Sequence, residues 1–233
     1  MNIKKHIPNT ITCCNLLSGC VAAVYAFLGV YPLAFAFIIA GAVFDFFDGL
    51  SARALKVSSP IGKELDSLAD VITFGFAPAT MVFSWLRECA DAYLDMLIAF
   101  AMPFAAFLLV AFSALRLAKF NVDERQTSSF IGLPTPANAL FWGALVIGSH
   151  DTIVANPYGW MLIIALVLLF SWLLVAEIPM FSLKFKNFSW KSNHVAYIFL
   201  LVSLALLIVL GINGLSAVIG WYIILSVLTQ KRA

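Results

Sequence analysis

The sequence predicts an all-α, polytopic integral membrane bundle of about eight transmembrane helices. Three observations predict it. First, 63% of the 233 residues are hydrophobic and only 11% are charged. Soluble domains run nearer half apolar and a quarter charged, and one core of this length could not hide the remaining apolar surface from water. Second, the apolar residues gather into runs near 11–29, 32–55, 66–86, 96–118, 135–149, 158–178, 194–211 and 214–229. Most of these approach the ~20 residues a helix needs to cross a bilayer. Third, the basic residues fall after every second run. Lys4 and Lys5 precede the first. Arg53, Lys56 and Lys63 follow the second, and Arg116, Lys119 and Arg125 the fourth. Lys184, Lys186 and Lys191 follow the sixth, and Lys231 and Arg232 the eighth.

Each run justifies itself in turn. The first follows the basic stretch MNIKKHIPNT with no small-residue cleavage site behind it, so it reads as a retained helix and not a signal peptide. The runs are long and lack strict alternation, so they satisfy their backbones as helices and not as barrel strands. The fifth and eighth are the shortest for a span. Thirteen of the fourteen basic residues then lie on one side, and only Arg87 on the other, with Glu88, Asp91, Asp95 and Asp151. The positive-inside rule makes the basic side, with the N-terminus, cytoplasmic. Dropping two neighbouring spans would preserve this asymmetry, so six spans also satisfy it. Connections are short and leave no room for a separate soluble domain. Cys13, Cys14, Cys20 and Cys89 have no metal-ligand spacing and read as buried, inert thiols.

Four carboxylates stand against this apolar background. Asp45 and Asp48 come late in the second run, in GAVFDFFDGLSAR. Asp66 and Asp70 open the third, in GKELDSLADVITFGF. A charge deep in a bilayer costs at least ~2.5 kcal/mol on insertion scales. The i, i+3 spacing puts Asp45 and Asp48 on one helix face, and the i, i+4 spacing does the same for Asp66 and Asp70. Consecutive antiparallel helices bring the two pairs to one end, where carboxylates so close together need cations. Hard divalent ions such as Mg²⁺, Mn²⁺ or Ca²⁺ prefer oxygen ligands, and four carboxylates suit two of them, as in phosphoryl-transfer sites. Asp48, Asp66 and Asp70 could instead be solvated helix-end residues. A cation or proton relay in an Asp-lined transporter is another functional reading.

The stretch between the pairs holds Gly49, Ala52, Arg53 and Gly62. Small residues let a flat ligand approach the backbone, or let helices pack closely. Arg53 can grip a diphosphate, or merely neutralise the aspartates. Together residues 45–70 spell D-x2-D-G-x2-A-R-x8-G-x3-D-x3-D. This resembles the signature of the CDP-alcohol phosphotransferase family at all eight specified positions: Asp45, Asp48, Gly49, Ala52, Arg53, Gly62, Asp66 and Asp70.

The resemblance implies a homodimeric membrane enzyme with a six-helix core and a site open to the cytoplasm, in the cell membrane. The chain would be a single domain, with the core near 1–178 and two added helices near 194–229. Asp45 and Asp66 would bridge two divalent ions, Mg²⁺ or Mn²⁺, with Asp48 completing one and Asp70 the other, and Asp70 would also be the general base. Gly49, Ala52 and Gly62 would line a cytidine pocket. Arg53 and Ser59 would meet the nucleotide or its diphosphate. Pro8, Asn9 and Thr10 resemble the family's N-terminal nucleotide-contact segment; a plain helix start with Thr10 as N-cap explains them equally well.

Two more stretches resemble the phosphatidylserine synthase branch: Arg116-Leu-Ala-Lys119-Phe-Asn121, and Phe130-Ile-Gly132-Leu-Pro134-Thr-Pro136-Ala-Asn138. On this resemblance the substrates are CDP-diacylglycerol and L-serine, drawn from membrane lipid and cytoplasm, giving phosphatidylserine and CMP. Arg116, Lys119 and Asn121 could hold the serine carboxylate or a lipid phosphate; a positive-inside anchor is the plainer account of Lys119. Glycerol phosphate or inositol phosphate remain alternative acceptors. No nucleic-acid partner is expected.

Overall fold

The computed structural model describes residues 6–57, 59–123, 130–180 and 190–229, with side chains at all but 130 and 190–192. Lys4, Lys5, Arg125, Lys184, Lys186, Lys231 and Arg232, part of the charge-asymmetry argument, lie outside the described residues, and Lys191 is described in backbone only. Among the described residues the chain is all-α apart from one two-stranded ribbon. Its helices are α1 (His6–Phe27), α2 (Tyr31–Leu55), α3 (Pro60–Asp70), α4 (Ala77–Tyr93), α5 (Met96–Ala101), α6 (Leu108–Val122), α7 (Thr135–Val154), α8 (Gly159–Val175), α9 (Trp190–Leu210) and α10 (Asn213–Leu228). Strands β1 (Phe130–Ile131) and β2 (Pro179–Met180) pair antiparallel.

Among the described residues, five stretches are long and apolar enough to cross a membrane: His6–Phe27, Tyr31–Leu55, Pro60–Tyr93, Met96–Val122 and Asn193–Leu210. Gly159–Val175 and Asn213–Leu228 are shorter apolar helices. Large apolar side chains such as Leu33, Val43, Phe46, Leu168, Trp172, Leu204 and Ile208 are exposed along them. Water would not tolerate so much apolar surface, whereas lipid tails would. The protein is an integral membrane helical bundle.

The interior is built by α1 packing on α2 and on the long Pro60–Tyr93 segment, α7 packing on α2 and α4, and α6 packing on α8. Phe74, Met81, Trp85, Leu109, Trp142 and Ile163 fill it. α10 packs on α7 and α9, with a small separate cluster of Phe199, Val218 and Leu225.

Three local features depart from the sequence expectations. The first helix begins by His6, so Thr10 lies inside it and is not its N-cap; the Thr10 hydroxyl donates to His6 O. The long third segment is interrupted by a π-helical turn over Val71–Phe76, in which Ala77 N donates to Ile72 O. Pro78 gives a physical reason, since in regular α geometry its ring would run into the carbonyl one turn back. The cysteines are free, but only Cys89 is buried; Cys13 and Cys20 lie on the exposed face of α1.

Candidate active site

The last turns of α2 and the start of α3 meet at one end of the bundle. The chain reverses between them through Lys56 in the left-handed region (φ 52°), and α3 restarts from Ser59, whose Oγ accepts from Gly62 N at 3.0 Å, followed by Pro60. A serine cap with proline in the first turn is a strong helix start. This tight restart brings the two aspartate pairs together.

Oxygens of Asp45, Asp48 and Asp66 lie within 4.8 Å of one another. The Asp45 and Asp66 carboxyls are close enough to interact directly. Asp48 is buried (7% exposed) and its Oδ2 accepts from Thr12 Oγ1 at 2.6 Å. Asp70, one turn beyond Asp66, stands outside the group of three but within electrostatic reach of Asp45, Asp66 and Asp48. Its Oδ1 accepts from Asn15 Nδ2 at 3.3 Å. Among the described residues, no lysine or arginine pairs with any of these four carboxylates within 4.0 Å. Converging oxygen donors without a paired side-chain cation fit one or more hard divalent ions.

A pocket of about 230 Å³ opens on this cluster. Asp48 and Asp66 form part of its wall, with Pro8, Asn9, Gly49, Ala52, Ser59 and Gly62 from the anticipated set. A Cβ at Gly62 would sit 3.1 Å from both Asn9 Oδ1 and Ser59 Oγ, so the missing side chain keeps this wall open. Arg53 is exposed, and its guanidinium lies beside Gly49, 3.9 Å from where a Cβ there would stand. Thr10 does not line the pocket; Thr12, two residues on, does.

The other anticipated contacts divide. Arg116 is buried (6% exposed), lies 5.9 Å from the Phe120 ring centroid, and feels the charge of Asp70. Arg116 and Lys119 line a second pocket, of about 210 Å³. Asn121 lines neither pocket. Its amide donates to Ser67 Oγ at 2.8 Å and its carbonyl accepts from Lys63 Nζ at 2.9 Å, so it ties α6 to α3.

Sequence reasoning passed over Thr12, Asn15 and Thr73. Thr73 Oγ1 donates to Asn15 O at 2.9 Å, so α1 grips the third segment on both sides of Asp70's turn. The close approach depends on Gly19 and Gly41, where any Cβ would run into Thr73. A signal existed: Thr12, Asn15, Ser18, Gly19, Ala22, Ala23 and Ala26 form one buried face of small and polar residues at helical spacing.

With this geometry in view, the relatives are informative. A family model described as CDP-alcohol phosphatidyltransferase matches residues 5–209. A protein of Helicobacter pylori (strain ATCC 700392 / 26695) named CDP-diacylglycerol–serine O-phosphatidyltransferase is 30% identical over 223 residues, covering 95% of this chain and 89% of that one. Its namesake in Bacillus subtilis (strain 168) is 35% identical over 136 residues, 57% of this chain and 70% of the relative. One in Mycobacterium bovis is 31% identical over 234 residues, 95% of this chain and 73% of the relative. Spanning nearly the whole described bundle and its aspartate cluster, the match establishes that this chain belongs to the CDP-alcohol phosphatidyltransferase family.

Proposed function

We propose that this protein transfers the phosphatidyl group of CDP-diacylglycerol to the hydroxyl of L-serine, giving phosphatidylserine and CMP. The convergence of Asp45, Asp48 and Asp66 on a pocket walled by small residues, with Asp70 beside them, carries the reading. The relatives' names supply the acceptor.

In this reading Asp45, Asp48 and Asp66, with Asp70 at the edge, would hold two divalent ions, Mg²⁺ or Mn²⁺. When bound, these would supply the positive charge that a diphosphate and its departing phosphate need. Gly49, Ala52, Gly62, Pro8 and Asn9 would wall the nucleotide, and Arg53 and Ser59 would meet its diphosphate. Asp70 takes the proton of the serine hydroxyl as that oxygen attacks the β-phosphorus. A new oxygen–phosphorus bond forms, the bond to CMP breaks, and CMP leaves with the electron pair. A neutral alcohol is a poor nucleophile near pH 7, which is why a positioned base is needed. Asn15 holds Asp70 in place for this step.

The setting follows the same reading. α7, α8 and α10 join the five long apolar stretches to make eight spans, in a single domain with a core near 1–178 and added helices near 194–229. The charge asymmetry supports a cytoplasmic site and N-terminus in the cell membrane. The active unit is a homodimer, as the resemblance implies.

The test is purified protein in vesicles containing CDP-diacylglycerol, given labelled L-serine, glycerol phosphate or inositol phosphate in turn. Phosphatidylserine and stoichiometric CMP are expected with serine. Lipid product only with a phosphorylated acceptor would replace serine, and ion flux without CMP release would replace the enzyme.

A further inference from the structure

A second pocket carries an unusual charge pattern. It forms where α6 ends against the C-terminal end of α8, next to the β1–β2 ribbon, with a volume of about 210 Å³. Arg116, Lys119 and Asp123 enter it from α6 and its C-terminal cap, and Glu177 enters from the segment after α8. Positions 116, 119 and 123 are spaced three and four apart, so one helix face delivers all three. The opposite wall is held close by backbone bonds: Gly132 N donates to Ile178 O and Leu133 N to Leu173 O, both at 2.9 Å. Gly132 has φ +77°, and a Cβ there would stand 2.6 Å from Leu174 O, so only glycine permits the approach.

Arg116 supplies the independent sign of a ligand. It is nine-tenths buried, yet its Nε has no hydrogen-bond partner. A buried guanidinium N–H left unmade is costly unless something fills the pocket it lines. Arg116 also lies within electrostatic reach of Asp70, the proposed base. Asp123 and Glu177 also have interactions of their own.

We propose that this pocket selects a small zwitterion, with Arg116 and Lys119 receiving its carboxylate and Glu177, assisted by Asp123, receiving its ammonium group. The inference rests on the reading that an amino-acid hydroxyl is the acceptor, and it names the residue that recognises the amine. Two cations alone would suit a phosphorylated acceptor equally well. Two carboxylates in the same pocket repel a phosphate dianion and attract an ammonium group, so they select against glycerol phosphate and inositol phosphate. In this proposal the zwitterion's hydroxyl is the group presented to Asp70.

The experiment compares L-serine with 3-hydroxypropanoate, which keeps the carboxylate and hydroxyl and lacks the amine, on the full-length enzyme in CDP-diacylglycerol vesicles. Wild type should favour serine strongly. Glu177→Gln should raise KM for serine by about tenfold or more, leave KM for CDP-diacylglycerol within about twofold, and erase most of the preference over 3-hydroxypropanoate. Glu177→Asp should recover part of it. An equal loss with both acceptors, or an unchanged preference, overturns the assignment. Should Glu177→Gln not fold, Asp123→Asn is read by the same ratio, and an unchanged ratio there overturns it too. Wild type inactive with serine but active with a phosphorylated acceptor refutes the serine reading itself, a different result from wild type active with serine and Glu177→Gln indistinguishable from it.

Discussion

Asn15 in the first helix donates from Nδ2 to Oδ1 of Asp70 across 3.3 Å, and the two residues are 55 positions apart in the chain. The carbonyl of the same asparagine accepts from Thr73, one turn past Asp70. The first helix therefore fixes both the carboxylate and the turn that carries it. The π-helical turn begins at the next residue, Val71, so the backbone geometry changes right where this carboxylate is aimed.

If Asp70 is the base and Asn15 its positioning partner, Asp70→Asn should lower kcat by roughly a hundred- to ten-thousandfold while CDP-diacylglycerol still binds. Asn15→Ala should lower kcat by roughly ten- to a hundredfold, the worth of one hydrogen bond to a charged group. The double variant should be no slower than Asp70→Asn alone, because residues acting as a unit are not additive. Stopped-flow or radiolabel turnover with separate lipid-binding measurements checks this. Near-normal turnover in Asp70→Asn removes it as base.

The aspartate cluster should make activity depend on divalent ions. Excess chelator is expected to abolish CMP release, and added Mg²⁺ or Mn²⁺ to restore it. Asp45→Asn should raise the ion concentration needed for half-maximal rate. Thr12→Val removes the 2.6 Å bond to Asp48 without touching a carboxylate, and should raise that concentration by about tenfold. Full activity in chelator would sink the metal-assisted mechanism.

Helix packing at the site leaves no room at Gly19, where a Cβ would come 2.7 Å from the Thr73 Cα. Gly19→Ala should destabilise the fold by about 1–3 kcal/mol through overpacking, and lower activity by displacing Asn15. Gly220 has open space where its Cβ would be, so Gly220→Ala is the control and should leave the melting temperature unchanged or slightly raised. Thermal unfolding in detergent distinguishes them; equal melting of the two variants would show that the contact yields.

The sequence by itself determined that the chain lives in a membrane, because no soluble core could bury a 63% hydrophobic composition. It also singled out the aspartates as a candidate metal site. Asp45, Asp48, Asp66 and Asp70 are legible because charge is rare in this chain and helical spacing turns i, i+3 and i, i+4 into shared faces. Residues whose meaning is a long-range contact were not legible. Thr12 and Asn15 read as unremarkable positions in an apolar helix until α1 is seen lying against α2 and α3. Asn121 read as an acceptor contact beside Arg116, and its tie between α6 and α3 is visible only in the fold. Glu177, late in the sixth apolar run, read only as a carboxylate with no assigned partner. Only the tertiary structure brings the end of α8 to the same pocket as Arg116 and Lys119. Local spacing is governed by the geometry of one helix, whereas these contacts depend on which helices pack together, and hydropathy carries no record of that choice.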